Sequence, residues 1–204
     1  MALSTTVCNK FRSAFEQKCF RLIIEAYNTS INERVIQLDW NENDISYEIH
    51  KCIKENPLRR KWRVSTNVEN TISKDVPKVK GFADKLPRID FRFMTFSKSE
   101  EFEYFFEAKN LKQNNSASKR RYINTGIDSF VFKKYENGSL VGYLIEGSIV
   151  ETINGINSLL AKDKRNTEIL NSVPINLLES YYESAHANIG TLKHLIFDFT
   201  SILK

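Results

Sequence analysis

At 204 residues, with 41% hydrophobic and 27% charged residues, the chain has the balance of one soluble globular domain spanning 1–204. Fourteen Phe and eight Tyr supply bulk for a full core, and only seven Gly and four Pro argue against long disordered stretches. The net charge of +5 is a mild bias toward polyanions, and no apolar run approaches the ~18 residues of a membrane span.

Met1 to Lys10 lacks an apolar segment flanked by positive charge, so no signal peptide is expected. Cys8, Cys19 and Cys52 form no Cys-x-x-Cys pair, and such a sparse, odd count fits a reducing, cytoplasmic setting. Phe11, Phe15, Cys19, Leu22, Ile23 and Ala26 recur with a helical period, predicting a first helix over 9–27. A second helix is expected over 44–55, with Asp44 as N-cap and Pro57 as its stop.

Strand signals follow. Residues 61–68 alternate, with Trp62, Val64 and Thr66 on one face, and Pro77 and Gly81 mark a turn region. Residues 88–96 alternate strongly through Ile89, Phe91 and Phe93, and residues 102–111 through Phe102, Tyr104, Phe106 and Ala108. Residues 112–121, rich in Asn, Ser, Lys and Arg, read as a mobile loop. Ile123, Ile127, Phe130 and Val131 fit a helix, Asn137-Gly138 breaks it, and residues 140–145 form a strand. A helix over 149–162 comes next, and Leu192 to Thr200 fits a strand or a helix. The fold class expected is mixed α/β.

Residues two apart on a strand share a face, so Glu107 and Lys109 project together, opposite Phe106 and Ala108. Asp90 points away from Ile89 and Phe91 on the preceding strand. If the turn around residues 97–101 joins the two strands, Asp90 meets Glu107 and Lys109. Two carboxylates can share a hard divalent cation, and the lysine can orient a water or stabilise charge on a phosphate.

Pro87-Arg88-Ile89-Asp90 followed by Glu107-Ala108-Lys109 resembles the signature of the PD-(D/E)XK, or restriction-endonuclease-like, nucleases. Here the proline stands three residues before Asp90, where the family's motif has it adjacent. The resemblance covers about residues 44–147. It implies a core of helix, three-stranded hairpin sheet, helix and strand, with extra N- and C-terminal helices around it. It further implies Mg²⁺-dependent hydrolysis of phosphodiester bonds in DNA, with Mn²⁺ as a substitute. The family's habits suggest prokaryotic restriction or anti-phage defence, with a second copy or a defence-system protein as partner.

Glu48 falls inside the apolar stripe Ile45, Ile49, Cys52 and Ile53, where a carboxylate is costly unless paired or metal-bound. Since family members often carry an extra acid on this helix, Glu48 is the candidate third acid. Lys119, Arg120, Arg121 and Tyr122, just before a helix start, and Arg59 and Arg60 are the candidate nucleic-acid contacts; a solvated surface explains them too. His186 and His194, near Tyr181 and Tyr182, read as structural. The competing functions are a catalytically degenerate nucleic-acid-binding module and a protein-interaction module on the same fold.

Overall fold

A computed structural model describes residues 5–71, 88–97, 100–135 and 137–203. Helix α1 runs over Thr5–Asn32, five residues beyond the expected end. Tertiary packing extends it: Tyr27 stacks on Phe197 at 4.4 Å, and its hydroxyl is hydrogen-bonded to the Asp198 main chain. Arg34 then stops it with φ of 52°; its N–H bonds Ile31 O, and the Val35 N–H bonds Ser30 O. This is a Schellman closure, which normally places glycine at the left-handed position.

The same closure recurs at Arg63, Lys133 and Lys164. A basic residue there suits the negative end of the helix dipole but strains its backbone. Arg34→Gly should therefore raise the unfolding free energy by roughly 0.5–1 kcal/mol. Urea denaturation checks this, and a loss of stability would mean that the charge outweighs the strain.

Helix α2 spans Glu42–Glu55, capped by Asn41, whose side chain accepts from Asn43 and Asp44 N–H groups. Asp44 is thus inside the helix, and the start lies two residues earlier than expected. Pro57 ends α2 and also opens the short helix α3, Pro57–Lys61, capped by Asn56. The strand expected from residue 61 accordingly begins only at Ser65.

Strands β1 (Ser65–Thr71), β2 (Arg88–Ser97) and β3 (Glu100–Lys112) pair antiparallel in succession. The expected turn at Pro77 and Gly81, Pro87 itself, and residues 98–99 of the β2–β3 turn lie outside the described residues. Helix α4 (Ser116–Arg121) continues through a π-helical segment, Tyr122–Ile127, into α5 (Asp128–Val131). Strand β4 (Gly138–Glu146) then runs parallel to β3, and α6 (Ile149–Lys162) follows. Beyond the core α6 is an added helix, as expected, but the rest of the C-terminal part is a hairpin rather than further helices: β6 (Tyr181–His186) and β7 (Gly190–Asp198), preceded by the short β5 (Asn171–Ser172). A 3₁₀ turn, Phe199–Leu203, ends the described chain.

Among the described residues the sheet has seven strands, ordered β1-β2-β3-β4-β7-β6-β5, with β4 parallel to both its neighbours. Helices α1 and α2 cover one face over Phe91, Phe93, Tyr104, Phe106 and Ala108. The run α4 to α6 covers the other over Phe105, Leu111, Leu140 and Ile196. No described helix is long and apolar enough to cross a membrane.

Candidate functional site

The β2–β3 ladder is paired from Ser97↔Glu100 down to Phe91↔Phe106 and no further. One residue below, the side chain of Asp90 takes over, accepting the Ala108 N–H at 2.6 Å. Where β2 leaves β3, strict alternation also lapses: Phe91 and Phe93 enter the α1/α2 core, but Ile89 packs in the opposite one. The opening nonetheless brings Asp90 next to Glu107 and Lys109, the meeting expected for these three residues.

Lys109 Nζ is the centre of the group. It lies 2.7 Å from Glu107 Oε1, 3.3 Å from Glu42 Oε1 and 3.8 Å from Asp90 Oδ2, and donates to Ala108 O at 2.6 Å. Glu107, Lys109 and Glu42 are all buried. Burial alone would lower the lysine pKa, but the charges of Glu107, Asp90 and Glu42 outweigh it and raise it. Burial lifts the Asp90 pKa to about 7, helped by the Glu107 and Glu42 charges and opposed by Lys109 and the Ala108 N–H. The centre is therefore a buried ammonium caged by oxygens.

Two members were not foreseen. Glu42, in the first turn of α2, accepts from the Asn110 N–H at 2.9 Å and from Arg121 Nη2 at 2.6 Å as well as from Lys109. Reading Asn41 as the N-cap would have put Glu42 one turn before Ile45 on the buried stripe. Tyr135 donates to Glu107 Oε2 at 2.7 Å, fixing the second oxygen of that carboxylate. No periodicity marks Tyr135, which stands in the connection between α5 and β4.

Glu48 is not brought into the group. It sits half-buried at the edge of α2 and pairs with Lys51 at 3.5 Å. The acid that α2 contributes is Glu42, because the helix starts two residues early. Residues 116–121 are helical rather than a mobile loop: Asn115 caps the Ser118 N–H, and Lys119 packs against Gly155 of α6.

The basic cluster there is largely engaged. Lys119 is buried and donates to Gln113 O, Arg120 pairs with Asp163, and Arg121 reaches Glu42. Tyr122 is fully buried, its hydroxyl 3.0 Å from His194 Nδ1, so it cannot touch a nucleic acid. Arg60 is exposed, while Arg59 is half-buried and donates to the carbonyls of Lys54 and Val64.

A second polar chain crosses the α4–α6 side. His194 Nε2 and His186 Nε2 each lie 2.7 Å from Ser184 Oγ, and His186 Nδ1 lies 2.8 Å from Glu168. Its connectivity is that of a nucleophile, base and acid. Ser184 is nevertheless buried, so no substrate can reach it, and the chain is structural as expected for both histidines.

Among the described residues no three His, Cys, Asp or Glu side chains gather closely enough to ligate a metal by themselves. The groups around the Lys109 ammonium are nonetheless all oxygens: the carboxylates of Asp90, Glu107 and Glu42, the last also held by Arg121, and the Ala108 carbonyl. Mg²⁺ is commonly held by one or two carboxylates, with water and substrate oxygens completing its shell. The donor set fits such an ion. Comparison with family models, curated proteins and solved structures finds no match to this chain.

Proposed function

We propose that this chain is a metal-dependent nuclease of the PD-(D/E)XK type, hydrolysing phosphodiester bonds with DNA as the leading substrate. The observation that carries the proposal is the Lys109 ammonium within 4 Å of Asp90, Glu107 and Glu42, at the point where two antiparallel strands part. The order α2, antiparallel β1–β3, helical run and parallel β4 supports a restriction-endonuclease-like core.

Asp90, Glu107 and the Ala108 carbonyl would hold Mg²⁺ or Mn²⁺. The ion would supply charge to the phosphate and lower the pKa of an attacking water. Tyr135 and the Ala108 N–H orient the two carboxylates through their second contacts. Glu42 draws Lys109 and Arg121 toward the same point, so two cations are available near a phosphate. Lys109 then orients water or stabilises the charge growing on the phosphoryl oxygens.

The test incubates purified protein with plasmid, linear duplex, single strands and RNA, in Mg²⁺, Mn²⁺ or EDTA. Cleavage should need the metal, and Glu107→Gln should abolish it while keeping the hydrogen bond from Tyr135 and hence the fold. Metal-independent cleavage, or full activity in Glu107→Gln, would sink the assignment. Binding without cleavage under every condition would favour the degenerate binding module.

A further inference from the structure

The outward face of α2 carries Asp44, Tyr47, Lys51 and Lys54 at spacings of three and four residues, one stripe about 15 Å long by helical rise. Tyr47 is 64% exposed on that stripe. It lines two hollows at once. One, of about 270 Å³, reaches Asp90 of the candidate centre past Asn43 and Ser46. The other, of about 360 Å³, is walled by Lys51, Lys54, Arg59 and Arg60 against the single acid Glu55.

No acid among the described residues pairs with Lys54, Arg59 or Arg60. These cations differ from Arg120 and Arg121 of α4, whose charges are met by Asp163 and Glu42. An aromatic ring thus stands between an acidic hollow and a cationic one.

We propose that the centre takes an unpaired nucleic-acid strand, with a base stacked on Tyr47 and the backbone beyond it held by Lys54, Arg59 and Arg60. The proposal rests on the nuclease reading and adds the substrate class. Base stacking on an aromatic side chain next to a positively charged groove is the general mode of single-strand binding, tolerant of sequence because every base has a π-face. A duplex keeps those faces buried against one another and would leave the exposed ring without a partner. The hollow reaching Asp90, about 270 Å³, is near the lower limit of small-molecule sites, roughly 300 Å³, which is room for about one nucleotide unit of a chain.

The experiment uses the full chain in Ca²⁺, with a single-stranded oligonucleotide carrying 2-aminopurine and the same sequence as a duplex. Wild type should bind the single strand more tightly and quench the fluorophore. Tyr47→Ala should weaken that binding by about tenfold or more and abolish the quenching, whereas Tyr47→Phe should keep both. The Lys54→Ala, Arg60→Ala double variant should make the single-strand salt slope shallower by about 1.4, or about 0.7 for each phosphate released.

Equal single-strand affinity in Tyr47→Ala and wild type would overturn the proposal, as would a duplex bound at least as tightly as the single strand. The two readings fail separately. Metal-dependent duplex cleavage unaffected by Tyr47→Ala removes this proposal and leaves the nuclease. Tyr47-dependent binding with no cleavage of any nucleic acid removes the nuclease and leaves the strand site.

Discussion

Lys109→Met should sharply slow cleavage and at the same time strengthen the binding of divalent cations. The methionine side chain is of similar length but carries no charge, so the place now filled by the ammonium opens to another cation. In wild type that ammonium makes contacts at 2.6 and 2.7 Å with Ala108 O and Glu107, the oxygens a metal would need. Cleavage should fall about 100- to 1000-fold, the usual loss when one positioned electrostatic group is removed from a transition state. Without metal the variant holds Asp90, Glu107 and Glu42 with no buried cation among them, which costs about 3–5 kcal/mol. For a chain of this size that is a fall in Tm of roughly 6–20 °C. Ca²⁺ at about a hundred times its Kd should restore about 2.7 kcal/mol. Calorimetry with and without Ca²⁺ reads both effects. A Ca²⁺-induced rise no larger than that of wild type would mean that the ammonium does not stand in a cation site. Should the variant not fold in EDTA, the Lys109→Met, Glu42→Gln pair removes one excess charge and keeps the comparison.

The parts of this site legible in the sequence are those governed by a period of two. Alternation through Phe102, Tyr104 and Phe106 fixes which side Glu107 and Lys109 take, and it held because the ladder from Phe91↔Phe106 upward is regular. Ile89 escaped the rule where that ladder ends. Glu42 is illegible for a different reason: an acid on the buried stripe of α2 does have to be paired, but the helix starts at Glu42, two residues before the start expected from Asp44. Residue 48, inside the apolar stripe by spacing, is at its edge in the structure, and residue 42 lies outside a helix that starts at 44. The polar run 112–121 hid a helix because its buried side is the stem of Lys119, apolar only along its methylenes. Glycine stop signals were few because basic residues occupy the left-handed positions at Arg34, Arg63, Lys133 and Lys164. The strand carrying Tyr181 and His186 gave no clean alternation, since polar Ser184 and His186 face inward to meet His194.

That inward-facing polar chain makes the fold sensitive to acid. His194 is fully buried between Tyr122 and Ser184, and burial, with His186 nearby, lowers its pKa to about 3. Its two hydroxyl neighbours can each donate or accept, so the neutral ring is satisfied in either tautomer. A protonated ring would find no carboxylate in contact. Below the ordinary histidine pKa of 6.5 the unfolded chain therefore takes up a proton that the native state refuses. Between pH 6.5 and about 3 this site alone should make the unfolding free energy fall by about 1.4 kcal/mol per pH unit. Above 6.5 its contribution is complete and flat. At pH 4.5 the loss is about 2.7 kcal/mol, a large share of the roughly 5–15 kcal/mol that holds a typical domain together. His186, whose pKa burial also lowers, adds in the same direction, although Glu168 at 2.8 Å opposes it. Asp90, its pKa raised to about 7, binds a proton in the native state first and so acts in the opposite direction over the same range. The His194 contribution is therefore read as a difference: between pH 7.5 and 4.5 the urea midpoint of His194→Gln, less stable at pH 7, should change with one proton's worth less acid loss than that of wild type. An unchanged slope in the variant, or an imidazole signal from His194 that titrates near pH 6.5, would place the acid sensitivity elsewhere.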